Sequence, residues 1–256
     1  MGIAGRKAIV CAASKGLGLG CAKTLGDAGV ALTICARTPA TLDEAAQTLR
    51  SAGAQVTAVA CDITTPAGRD AVLAACPEPD ILVNNAGGPP PGDFKDYDLD
   101  AWRAAVEANM LTPIALIQAV AYGMADRGFG RIINITSASV KNPIAVLELS
   151  NGARCGLTGA VASLARRMAK HNVTINGLLP GLHDTDRVRQ TLQGRASAQG
   201  ISIDEAQTAA AASIPAGRMG TPAEFGAFCA FLASQHAGFV TGQNIVVDGG
   251  SFPGTL

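Results

Sequence analysis

A chain of 256 residues can bury one large hydrophobic core, and its 20 Lys and Arg are balanced by 20 Asp and Glu. That balance supplies no field toward nucleic acid or an anionic membrane, so small-molecule chemistry is the starting expectation. The 7 cysteines are odd in number, scattered and never spaced Cys-x-x-Cys, which argues against disulfides or structural zinc and fits a reducing cytoplasm.

From the N-terminus, Gly2 is followed by Arg6 where myristoylation needs Ser or Thr, and no secretory pattern precedes the first apolar run. Short β-rich segments then recur at Lys7–Cys11, Val30–Ala36, Gln55–Ala60, Asp80–Asn84, Gly130–Ile135, Val173–Leu179 and Gln243–Val247. Helical patterns separate them. Strands apolar on both faces and alternating with helices predict an α/β fold: one domain over 1–256, a doubly wound, seven-stranded parallel sheet flanked by helices. The intervening apolar runs read as too short to span a bilayer.

Two long helices are predicted at Leu99–Asp126 and Leu149–Lys170. In the second, Arg166, Arg167, Lys170 and His171 suit the negative end of the helix dipole. The stretch Thr185–Pro215 is polar, Ala-rich and without a strand pattern, and predicts a helical lid where a substrate would sit. Thr221-Pro222-Ala223-Glu224 has the capping-box spacing of a helix start.

The most informative local sequence follows the first strand: Cys11-Ala12-Ala13-Ser14-Lys15-Gly16-Leu17-Gly18-Leu19-Gly20. Glycines there let backbone approach a pyrophosphate, and the helix that follows offers free N–H groups and its positive dipole end. The second strand ends in Ala36-Arg37 rather than in an acid that would bind an unphosphorylated ribose. Arg37 and Lys15 can instead engage a 2′-phosphate, which points to NADP(H). Asp62, in Cys61-Asp62-Ile63, is placed to accept from adenine or to cap the next helix.

With Asn84-Asn85-Ala86-Gly87, Asn134-Ile135-Thr136-Ser137, Pro180-Gly181 and Val247-Asp248-Gly249-Gly250, the whole chain resembles the short-chain dehydrogenase/reductase family, in particular its 3-oxoacyl-acyl-carrier-protein reductase type. The resemblance implies a Rossmann fold, NADP(H) and a small-molecule carbonyl or alcohol substrate. It assigns Ala12, Ser14, Lys15, Gly16, Leu17, Gly18, Arg37, Asp62, Ile63, Asn85, Ala86, Gly87, Pro180, Gly181, Leu182 and Thr185 to the cofactor. Asn109 matches the asparagine that holds a relay water, and Ser137 the serine that polarises the substrate carbonyl. It also implies a homotetramer or homodimer, with the two long helices against symmetry mates. Ala12 departs from the family by replacing the first glycine of the loop, and alanine is small enough to be accommodated.

The larger departure is at the family's Tyr-x-x-x-Lys, which falls on Ser150-Asn151-Gly152-Ala153-Arg154. Serine is far less acidic than a phenol, and arginine stays protonated, although Arg154 can still hold the cofactor's ribose or stabilise negative charge. The remaining tyrosines, Tyr97 and Tyr122, are poorly placed to substitute, and His183 lies nearer the nicotinamide end. Two readings follow. One is an NADP(H)-dependent carbonyl reductase or alcohol dehydrogenase using Ser137, Asn109, Ser150 and Arg154, with protonation through water, Ser150 or His183. The other is a non-catalytic NADP(H)-binding sensor or inactive subunit. Pro89-Pro90-Pro91-Gly92 should stiffen a loop beside the site.

Overall fold

A computed structural model describes residues 1–255. Seven strands, β1 (Lys7–Val10), β2 (Ala31–Ala36), β3 (Val56–Ala60), β4 (Ile81–Asn84), β5 (Gly130–Ile135), β6 (Val173–Pro180) and β7 (Asn244–Val247), pair in the order β3-β2-β1-β4-β5-β6-β7. Every pairing is parallel. This is the expected doubly wound Rossmann sheet, with each strand bound within a residue of its predicted end.

Alternate residues of a strand point to opposite faces, and both faces are covered. Ala8, Val10, Ile34, Val83 and Ile133 pack with Leu25 of α1 (Gly16–Asp27), Leu42 of α2 (Pro39–Ser51) and Phe225 of α9 (Pro222–Ala233). Ile9, Leu82, Ile132 and Ile175 pack on the other side with Val72 of α3 (Pro66–Ala75), Leu116 of α5 (Thr112–Asp126) and Met168 of α6 (Glu148–Met168). The expectation of strands buried on both faces holds for β5, where all residues are buried, and fails at β3 and β7. Those two are the sheet edges, which the flanking helices cover only in part.

The predicted helix Leu99–Asp126 is continuous but not uniform: α4 (Leu99–Val106) widens into a π-helical turn at Glu107–Leu111 before α5. This run is long and apolar enough to cross a membrane by length and composition, contrary to the reading that no apolar run was long enough, with 44% of its most apolar window buried inside the fold. Its apolarity serves packing on β5 and α6. The second long helix ends at Met168 with Arg166 and Arg167 in its last turn, and left-handed Asn172 leads the chain into β6. The predicted helical segment after Thr185 is formed by α7 (Asp186–Gln199) and α8 (Ile203–Ala212), and Thr221 with Glu224 closes the capping box of α9.

Connections from β1 run toward one edge of the sheet and those from β4 toward the other. The loops after β1 and β4 therefore diverge and leave a crevice at the carboxyl ends of the strands, the usual ligand position in such a sheet.

Candidate active site

The loop between β1 and α1 is built by close backbone approach. A Cβ on Gly18 would stand 2.3 Å from the Ala12 carbonyl oxygen, and that oxygen also accepts from Asn85 Nδ2 at 3.3 Å. Gly16 is left-handed at φ +58°, and so is Ala12 at φ +47°. Alanine thus fits at position 12, in a conformation that costs an L-residue about 1–2 kcal/mol. Lys15 is the N-cap of α1, no side chain caps the helix, and its first turn holds no acid. The free N–H groups of that turn remain open to an anion.

The crevice is a cavity of about 650 Å³. Its wall gathers Ala12, Lys15, Gly16 and Leu17 after β1, Asn85, Ala86 and Gly87 after β4, Ser137 after β5, Ser150 and Arg154 on α6, and Pro180, Gly181, Leu182 and Thr185 after β6. Thr185 accepts from Val188 N as the cap of α7, and its Cγ2 lies 3.5 Å from where a Gly16 Cβ would stand. The start of α7 therefore packs on the glycine loop.

Six predicted residues lie outside that wall: Ser14, Gly18, Arg37, Asp62, Ile63 and Asn109. Gly18 is a buried spacer beneath the loop, and Ile63 belongs to the core. Asp62 is exposed and accepts from Thr64 N (3.0 Å) and Thr64 Oγ1 (2.7 Å). These bonds hold its carboxyl below the usual range, helped by the positive charge of Arg37. Its alternative reading as a helix cap is corrected: Thr65 caps α3, accepting from Gly68 N at 3.0 Å. Arg37 has no ion pair among the described residues. Asn109 sits in the π-helical turn, where its Nδ2 donates to Ala105 O at 3.4 Å and its buried Oδ1 has no partner. The Oδ1 is thus a buried acceptor in a π-helical turn, a feature frequent at functional sites.

Ser137 Oγ accepts from Ser139 N at 3.1 Å, leaving its hydrogen free to donate. Ser150 and Arg154 are one helical turn apart, and Arg154 Nε donates to Ser150 Oγ at 3.1 Å. Arg154 Nη1 donates to Ile135 O at 3.0 Å, while Nη2 reaches Ala86 O only at 3.5 Å. Arg154 is buried, 8% exposed as a residue. Burial pushes its pKa down to about 10, with a further push from the positive charge of Arg187, so it remains a cation at neutral pH.

The other candidate proton donors are engaged elsewhere. His183 is buried against Phe225, edge to face, with Nδ1 3.2 Å from Gly181 O, and burial lowers its pKa. It lines the cavity as a neutral, packed ring. The Tyr97 hydroxyl lies 2.9 Å from Gly92 O and 3.0 Å from Val146 O, tying two loops together, and Tyr122 is on the surface. Neither tyrosine lines the cavity.

Several wall residues were missed from sequence, among them Gly88, Arg187, Asn142, Ile144, Leu147, Ile214 and Phe252. The Pro-rich loop and the lid stretch marked their neighbourhoods, but no motif singled them out.

Residues 11–251 match the sequence profile of a family described as enoyl-(acyl carrier protein) reductase. The chain is 32% identical over 257 residues to the 3-oxoacyl-[acyl-carrier-protein] reductase FabG of Vibrio cholerae, covering 98% of this chain and 99% of that one. It is 30% identical over 249 residues to the dehydrogenase/reductase SDR family member 4 of Bos taurus, covering 95% and 86%. The chain belongs to the short-chain dehydrogenase/reductase family. Among solved members, L-sorbose reductase of Gluconobacter frateurii, complexed with NADPH and L-sorbose, superposes with a TM-score of 0.93 at 29% identity, covering 99% of this chain and 98% of that one. The short-chain dehydrogenase/reductase fold accounts for the placement of the glycine loop, Asn85, Ser137 and Pro180 around one crevice.

Proposed function

We propose that this short-chain dehydrogenase/reductase is an NADP(H)-dependent oxidoreductase that interconverts a carbonyl, 3-oxoacyl-like or another ketone or aldehyde, and the corresponding alcohol. The observation that carries the proposal is the single cavity running from the open N-terminus of α1 to Ser137, Ser150 and Arg154. Its donor set fits the cofactor. Gly16, Leu17 and the free first-turn N–H groups suit a pyrophosphate, with Thr185 opposite and Ser14 and Gly18 in support. Asn85, Ala86 and Gly87 suit a ribose, and Pro180, Gly181 and Leu182 the nicotinamide. Arg37 and Lys15 carry the preference for a 2′-phosphate, and Asp62 and Ile63 flank the adenine. The name of L-sorbose reductase's bound cofactor supports the same choice.

The bound cofactor supplies hydride; the chain supplies position and charge. Ser137 donates its free hydrogen to an oxygen that becomes negative, as Oγ is already oriented by Ser139 N. In the family register Ser150 and Arg154 stand for the Tyr and Lys. Arg154 holds Ser150 Oγ from the acceptor side, leaving the hydroxyl hydrogen for the substrate oxygen, and contributes a fixed positive charge. The proton itself comes through water, for which Asn109 Oδ1 is a free acceptor. Giving up a positioned acid costs about 10²–10⁴-fold in rate, so turnover is expected to be slow. In a dimer or tetramer, exposed Leu111 and Tyr122 on the α4–α5 helix are available for contact.

The test is NADPH consumption with identified products over β-ketoacyl thioesters, ketones and aldehydes, comparing wild type with Ser137→Ala. An alcohol product and a fall of about 10²-fold in the variant are expected; unchanged turnover in Ser137→Ala would refute the assignment. A non-catalytic NADP(H) sensor or inactive subunit is the second reading, favoured by the absence of a tyrosine from the cavity wall. Saturable NADPH binding without turnover on any substrate would establish it.

A further inference from the structure

Two arginines are buried in this fold without a carboxylate partner among the described residues, and they differ in how their N–H groups are used. Arg131 is satisfied by carbonyl-type oxygens of Gly130, Asn172 and Ser234 and stacks on Phe129, so it is accounted for structurally. Arg154 is not. Its Nη2 has only the 3.5 Å contact to Ala86 O, and it faces the cavity. Arg187, on the first turn of α7, enters the same cavity, donating to Pro89 O at 3.1 Å and to no acid.

Both guanidinium groups converge on Gly88. The point where a Gly88 Cβ would stand is 3.2 Å from Arg187 Nη1 and Nη2 and 3.5 Å from Arg154 Nη2. Two like charges held this close repel; Arg187 is exposed and screened by solvent, whereas Arg154 is buried and no acid in the surrounding wall pairs with it. Of the two acids in the wall, Asp248 accepts from Gly250 N and Phe252 N, and neither Asp186 nor Asp248 forms an ion pair with the two arginines. With Nε and Nη1 of Arg154 and Nη2 of Arg187 engaged, the two side chains still offer Nη2 and Nη1 respectively, and a pair of charged N–H donors suits the two oxygens of a carboxylate.

We propose that Arg154 and Arg187 form an anion clamp for the substrate, so that the compound acted on is an oxo acid bearing a free carboxylate. This rests on the cavity being the oxidoreductase site proposed above. It deepens that reading, because a neutral ketone would leave buried Arg154 without an anion. The apolar surfaces of Ile144, Leu147, Ile214 and Phe252 take the remainder of the molecule. A reaction that supplies the oxo acid or the hydroxy acid must precede this one, and a reaction that consumes the other must follow it.

The experiment titrates NADP⁺-loaded protein with short 2-hydroxy and 3-hydroxy acids and with their methyl esters, reading heat and cofactor fluorescence, for wild type, Arg187→Gln and Arg187→Lys. Acids are expected to bind at least tenfold tighter than their esters, a preference lost in Arg187→Gln and partly kept in Arg187→Lys. NADPH affinity, measured separately, is expected to stay within about twofold of wild type in Arg187→Gln, which leaves the glycine loop intact. Equal binding of acid and ester, or binding of neither, overturns the proposal. So does a tenfold loss of NADPH affinity in Arg187→Gln with an unchanged acid-to-ester ratio, which would assign the cation to the cofactor's own pyrophosphate. Tight binding of a hydroxy acid without turnover in either direction would overturn the oxidoreductase reading while leaving the clamp intact.

Discussion

Arg154 is carried into the interior as a cation, and replacing it should separate its stability cost from its use. Burial lowers its pKa from the ordinary arginine range to about 10, a shift that corresponds to roughly 3 kcal/mol opposing the charged form in the fold. The depressed value belongs to a base, so this penalty is present in full at every pH below about 10 and fades as the pH rises from there toward the ordinary arginine range, because the folded chain loses the proton first. Arg154→Met keeps most of the side chain's length and removes the charge. It also leaves Ser150 Oγ and Ile135 O without their donor, at about 1 kcal/mol each. The balance is a gain of about 1 kcal/mol, or a melting temperature about 2–4 °C higher for a chain of this size. Over the same substitution kcat/KM should fall about 10²–10³-fold if, as proposed, the fixed positive charge of Arg154 holds and orients the substrate. Thermal unfolding at neutral pH and steady-state kinetics read the two effects independently. A fall in melting temperature of more than about 4 °C would refute the reasoning, since Arg154 would then be holding the fold through its hydrogen bonds.

Ala12→Gly should raise the melting temperature by about 1–3 °C, since relief of the left-handed alanine (about 1–2 kcal/mol) exceeds the added freedom of glycine in the unfolded chain (about 0.4–1 kcal/mol). Arg37→Ala should weaken NADPH about tenfold or more while leaving NADH nearly unchanged, as measured by fluorescence titration; equal loss for both would remove Arg37 from the 2′-phosphate. Tyr97→Phe removes the hydroxyl between Gly92 O and Val146 O, one on each of two loops beside the cavity. It should cost about 1 kcal/mol and raise KM more than it lowers kcat, whereas a selective loss of kcat would make Tyr97 a proton donor after all.

The sheet was legible because its signals are local and repeated: each strand is an apolar run, and Thr221 and Glu224 form the predicted capping box. The glycine loop was legible for a similar reason, since the Gly18 position is dictated by one backbone contact to Ala12 O. Edge exposure at β3 was not, because burial of a strand depends on which layer ends beside it. The π-turn around Asn109 also escaped, as residue spacing within Leu99–Asp126 gives no sign of one extra residue in a helical turn. Arg187 was hidden for a different reason. On sequence it is an ordinary cation in the first turn of a polar helix, where the dipole makes it slightly unfavourable. Only the packing of that turn onto Gly16, through Thr185, brings it over Gly88.

On the proposed register, the two substitutions on α6 are better understood as one change. A tyrosine and a lysine one turn apart divide the work: the phenol moves a proton, and the ammonium sets its acidity. Serine cannot reach as far as a phenol, and the side chain at 154 is correspondingly larger and branched, with Nε bonded to Ser150 Oγ and Nη1 to Ile135 O. Arginine also presents Nη2 to the cavity in a fixed plane, about one guanidinium breadth beyond those two bonds, where a single ammonium bonded at the same two points would have only its third N–H close to them. The pair therefore trades a titrating group for a permanent charge with a directed face. A permanent charge cannot complete a proton transfer, but it can bind and orient an anion. That is why the loss of the phenol, the uncompensated burial of Arg154 and the approach of Arg187 at Gly88 are consistent with one cause: a site in which recognition of a charged substrate supplies part of what acid catalysis no longer does.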